Sequence, residues 1–128
     1  MGYKERRGIA VLKGETLTKI EKSKDYDEII FHVDNGEKYI MYHSQDCCES
    51  VTIDDIEGDL DDLIGSPILQ AEESTSDENP NGVVKQYQDS FTWTFYKLAT
   101  VKGYVTIRWY GSSNGYYSES VYFELMKN

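Results

Sequence analysis

The chain has 128 residues, room for one ordinary domain (1–128), and a chain of this size buries roughly two-thirds of its unfolded surface without needing disulfides or metal. Hydrophobic residues make up 39% and aromatics 13%, with 11 tyrosines, so a chain disordered throughout is excluded. Thirteen basic against 23 acidic side chains leave a formal charge of −10, which argues against a protein that coats phosphate backbones. No stretch approaches the roughly 18 apolar residues of a membrane span, and Met1–Gly8 has neither the apolar core of a signal peptide nor a hydroxyl residue suited to myristoylation. The expected address is the cytoplasm.

The elements are read in chain order. Ile9–Leu12 and Thr16–Ile20 are short β-prone runs separated by a turn at Lys13-Gly14-Glu15. Glu28–Asp34 and Glu37–His43 flank Asn35-Gly36, which fits a two-residue type I′ hairpin. That register puts Ile29, Phe31 and Val33 with Lys38, Ile40 and Tyr42 on one face, and Ile30, His32, Tyr39, Met41 and His43 on the other. Ile53, Ile56, Leu60, Leu63 and Ile64 then follow a helical spacing, with Asp54 or Asp55 to cap the start and Gly65 and Pro67 to end it. The spacing predicts one short amphipathic acidic helix, weakened by Gly58 inside it. Pro67–Glu73 reads as a short strand and Ser74–Gly82 as a loop. Phe91–Leu98, Tyr104–Tyr110 and Tyr116–Leu125 read as a three-stranded meander. Its apolar side would hold Phe91, Trp93 and Phe95 with Val105, Ile107, Trp109, Val121, Phe123 and Leu125. The expected class is α+β, mostly antiparallel β in hairpins and that meander, with the one acidic helix.

Charge is unevenly distributed. From His43 to Val84 there is no Lys or Arg but there are 12 carboxylates, whereas the remainder has 13 basic and 11 acidic residues. Asp54, Asp55, Glu57, Asp59, Asp61, Asp62, Glu72 and Glu73 form the centre of this block. They would repel nucleic acid and attract a basic surface on a protein partner; the alternative is a solvated, solubilising face.

Three constellations could carry chemistry. His43, Asp46, Cys47 and Cys48 supply imidazole, carboxylate and sulfur donors of the kind zinc takes, but the usual second ligand pair is missing, and the same residues serve equally as a structural loop. Two adjacent cysteines make no disulfide framework, so both are expected as thiols, and a thiol nucleophile would be opposed by the neighbouring acids. Tyr96, Arg108, Tyr110, Asn114 and Tyr116 could stack a ring and hold a phosphate or carboxylate, as in a nucleotide-like signal; otherwise Arg108 pairs with an acid on a half-exposed sheet. Phosphate-loop, dinucleotide, zinc-protease and serine-elbow motifs are all missing, so no catalytic residue, enzyme class or resident cofactor is assigned.

Tyr42-His43-Ser44-Gln45-Asp46-Cys47-Cys48-Glu49-Ser50-Val51, Ile56-Glu57-Gly58-Asp59-Leu60, Phe91–Tyr96, Arg108-Trp109-Tyr110-Gly111 and Asn114-Gly115-Tyr116-Tyr117-Ser118 resemble the motifs of a family of small uncharacterised proteins from bacteriophages and their Gram-positive hosts, over about Tyr42 to Glu124. The resemblance implies a virus-encoded accessory protein in the host cytoplasm and supplies no reaction. The expected function is non-enzymatic: binding and blocking a host protein through the acidic surface, in the manner of a counter-defence inhibitor, with no direct nucleic-acid or membrane contact. Open strand edges leave pairing of two copies as a further expectation.

Overall fold

The computed structural model describes residues 3–85 and 88–127. Nine strands are present among them: β1 (Tyr3–Arg6), β2 (Leu17–Lys22), β3 (Glu28–Val33), β4 (Lys38–Tyr42), β5 (Ser50–Glu57), β6 (Gln70–Ser76), β7 (Ser90–Thr100), β8 (Gly103–Ser113) and β9 (Tyr122–Lys127). They build a five-stranded sheet ordered β1-β9-β4-β3-β2 and a four-stranded sheet ordered β5-β8-β7-β6, with every neighbouring pair antiparallel. The sheets enclose one core. Phe31, Met41 and Phe123 from the first face Trp109, Ile107 and Leu98 from the second, and Trp109 Nε1 donates to Met41 Sδ at 3.2 Å across the gap.

The expected helix over 53–64 does not form, and the fold is nearly all-β rather than α+β. A bulge between Ile53 and Asp55 is the reason. One extra residue in the strand returns Ile56 to the core side, so a three-residue apolar spacing that mimics a helix is a bulged strand. Gly58 then takes φ +99°, where a side chain would meet the Tyr104 carbonyl at 2.5 Å. After it Asp59 accepts from the Asp61 amide and caps a single 3-10 turn, Leu60–Leu63. A similar turn occupies Ile9–Leu12, expected as strand, because Ile9 and Leu12 are buried together at a three-residue separation.

Register corrects three further expectations. The β3–β4 loop holds three residues, Asp34 to Gly36, with the Val33 amide bonded to the Glu37 carbonyl and Gly36 at φ +92°. One more loop residue shifts the pairing by one, so Tyr39 and Met41 join Ile29, Phe31 and Val33 inside, while Ile40 and Tyr42 face outward. In the β7–β8 hairpin Leu98 opposes Val105, Tyr96 opposes Ile107 and Thr94 opposes Trp109, so this is the core side, and Trp93 and Phe95 lie on the outer face. The meander ends after β8: β9 crosses to the other sheet, and residues 116–121 are connection rather than strand.

Candidate functional site

Two connections cross between the sheets, residues 43–49 from β4 to β5 and residues 114–121 from β8 to β9. His43 joins them. Its Nδ1 lies 2.7 Å from the Ser120 carbonyl and its Nε2 2.7 Å from Glu49 Oε2, so both ring nitrogens face acceptors. Glu49, only 4% exposed, also accepts from the amides of Asp46 and Cys47, at 2.9 Å each. The His43 hydrogen bond, then the Cys47 amide, outweigh burial and hold the Glu49 carboxyl down to about 2. The second connection passes over β8 at Gly111, where a Cβ would lie 2.8 Å from the Glu119 carbonyl. Glu119 is tied down by the hydroxyls of Thr92 (2.8 Å) and Ser113 (2.5 Å).

The motif His43 to Glu49 is therefore a staple between the two sheets. Of the four expected metal ligands, His43 has both nitrogens engaged and Asp46 is exposed. Cys47 and Cys48, expected as thiols, are joined in a disulfide between neighbours. Among the described residues no group of three or more His, Cys, Asp or Glu side chains is placed to hold a metal ion.

The outer face of the four-stranded sheet has a covered half and an open half. On the covered half Trp93 is fully buried although it points away from the core: its Nε1 donates to Asn79 Oδ1 at 3.1 Å, and Lys85 and Arg108 lie 5.8 and 5.2 Å from its ring. Asp54, displaced outward by the β5 bulge, accepts from Arg108 Nη2 (2.6 Å) and Nε (3.0 Å) and from Lys85 Nζ (2.9 Å). Burial raises its carboxyl, but the bonds to Lys85 and Arg108 prevail and hold it below the usual range. Gln88 Nε2 donates to the Tyr110 hydroxyl at 2.7 Å.

The five expected ligand-binding residues do not share one surface. Tyr96 is fully buried on the core face, Arg108 and Tyr110 lie on the outer face under Lys85 and Gln88, and Asn114 and Tyr116 are exposed in the crossing connection. The Tyr96 hydroxyl is buried beside the Glu73 carboxylate. Burial, reinforced by the Glu73 carboxylate, raises its pKa well above the ordinary phenol value.

The open half holds a groove of about 540 Å³ floored by Phe95, Lys97, Tyr104 and Thr106 and bounded by Glu57 on one side and Gln70 and Ser74 on the other. The expected partner-binding carboxylates flank it in two groups. Asp55 and Glu57 are exposed on the edge strand β5, and Asp59, Asp61 and Asp62 follow in the turn beyond Gly58. On the opposite edge strand, β6, Glu72 is paired to Lys97 on the groove face, whereas Glu73, also exposed, is paired to Tyr96 and points to the other face. Asp54 is not among them, since Arg108 and Lys85 neutralise it. Residues 50–119 carry 12 acidic and four basic side chains, and with two of those cations spent on Asp54 the negative field of this half of the molecule stands largely uncompensated.

The sequence reading missed the groove floor and the Trp93 lid. Leu98 was the available signal: pairing it with Val105 around a two-residue turn places Tyr96 with Ile107 inside and leaves Phe95 and Lys97 outside.

Fold and site together define a two-sheet antiparallel β protein with an acid-flanked groove on one outer face. The chain belongs to a family known as a domain of unknown function, DUF7448, which matches residues 10–123. No curated protein and no solved structure matches it. Among the described residues no helix is long and apolar enough to cross a membrane.

Proposed function

We propose that this chain is a non-enzymatic binding protein that engages a basic protein surface through the outer face of its four-stranded sheet. The observation that carries the reading is the groove over Phe95 and Tyr104 with exposed carboxylates on both flanks, Asp55 and Glu57 on β5 and Glu72 on β6. The reading is also supported by how the other polar constellations are used. The imidazole of His43 and the carboxylates of Glu49 and Asp54 are consumed by internal hydrogen bonds. The resemblance to small phage proteins supports the finer version: an accessory protein acting in the bacterial host cytoplasm, which blocks a defence factor by occupying the basic surface that normally holds nucleic acid.

Such docking depends on ionic strength, because the screening length falls from ~30 Å to ~3 Å between 0.01 M and 1 M salt. The test compares partners captured from host lysate on the native chain and on a chain carrying Asp55→Asn, Glu57→Gln, Glu72→Gln and Glu73→Gln. A partner with a basic surface that is held by the native chain at low salt, released as salt rises, and lost by the amide variant is the expected outcome. Equal capture by both chains overturns the reading.

A further inference from the structure

Each sheet ends in two edge strands, and three of the four are blunted. β1 pairs over only four residues. β2 is irregular between Leu17 and Lys19, and its Leu17 carbonyl already accepts from the Gly65 amide. β5 is bulged at Ile53–Asp55, and the Ile53 amide is bonded to the Tyr26 carbonyl. Bulges and covering loops are the ordinary ways of preventing strand addition. β6 has no bulge: it pairs with β7 in unbroken register from Gln70 to Ser76, and although the Ile9–Leu12 turn packs against it, no strand lies on its other side among the described residues. Residues 13–16 bridge to Pro67 and Ile68, ahead of the strand, and Glu72 to Thr75 are exposed.

We infer that β6 is the strand on which the partner docks: an extended segment with basic residues adds beside Glu72–Ser76 as a fifth strand of the sheet and reaches over the groove rim at Ser74. The inference rests on the acidic-docking reading and specifies its geometry. Charge selects the occupant. A second copy of this chain pairing β6 to β6 would bring Glu72 and Glu73 of both copies onto one short ladder, and like charges across a ladder destabilise it. Successive side chains of a strand point to opposite faces, so Glu72 projects outward beside Lys97 while Glu73 projects inward beside Tyr96. Adjacent basic residues on an added strand would therefore meet one carboxylate each. The inward one would also bring a charge to Glu73, which burial raises above the ordinary carboxylate range and which the neighbouring Tyr96 hydroxyl and Arg6 only partly relieve. Main-chain bonds would provide affinity and the two glutamates the preference, the usual division in strand addition.

The test uses two synthetic peptides that carry adjacent lysine pairs in a threonine background, with the same charge, one of them N-methylated at alternate amides so that it cannot complete a ladder. Binding is measured by titration at low salt, and amide hydrogen exchange is followed in the full chain. The expected result is binding of the unmethylated peptide at least about tenfold tighter than its methylated twin, slowed exchange confined to β6, and weakening by Glu72→Gln with Glu73→Gln. Equal binding of the two peptides overturns strand addition and leaves the acidic-docking reading standing. No binding of either peptide at low salt overturns both.

Discussion

At the scale of single residues, Glu49 shows how one carboxylate can join two sheets. Its folded value of about 2 lies below the ordinary 4.5, so the stabilisation is fully present above the unfolded value and is lost as pH falls from about 4.5 through about 2. Glu49→Gln is expected to lower the melting temperature at neutral pH and to flatten this acid limb; a melting curve against pH that keeps the native shape in the variant would contradict it. Gly58 and Gly111 are fixed by contact with other segments. At Gly58 both the positive φ and the 2.5 Å approach to Tyr104 forbid a side chain, and Gly58→Ala should cost about 2–3 kcal/mol in chemical denaturation. Gly111→Ala, crowded by Glu119 and Val51, should cost about 1–3 kcal/mol.

At the scale of elements, the lid over Trp93 is the informative case. An indole on the solvent side of a sheet is buried because Asn79, Lys85 and Gln88 fold back across it, and because Asp54 binds Lys85 and Arg108 at once. Asn79→Ala leaves the Trp93 N–H without its acceptor and is expected to cost about 1 kcal/mol and to shift Trp93 fluorescence to the red. An unchanged emission maximum would mean the lid does not depend on that bond. The strands around it were legible for clear reasons. Alternating β-branched and aromatic residues marked β3, β4, β7 and β8, and glycines or acids marked the turns between them. Which face each strand buries was not legible, because one residue in a loop decides it. The third residue of the β3–β4 loop inverts β4, and the start of the β7–β8 turn decides between Trp93 and Tyr96 for the core.

For the whole molecule, charge and topology act together. The acidic third of the chain becomes both edges of one sheet, β5 and β6, and is thus divided between the two flanks of a groove. Concentrated carboxylates also repel one another within the native state. Modest salt should therefore raise the melting temperature of the free chain while weakening its complex with a basic partner, two opposite responses to one screening length. A melting temperature that falls steadily with added sodium chloride would count against a repulsive native surface.

Composition and local pattern by themselves determined that the chain is mostly antiparallel β, that its carboxylates are concentrated between His43 and Val84, and that Asn35-Gly36 and Lys102-Gly103 lie at turns. Those properties depend on neighbours in the chain. Only the tertiary structure decided that Ile53 and Ile56 share a bulged strand, that His43, Glu49 and Ser120 meet where two connections cross, and that Phe95 and Tyr104 open into a groove between acidic edges. Each of these joins residues far apart in sequence through register and crossover, and the energy that selects them comes from burying a shared core that no local window contains.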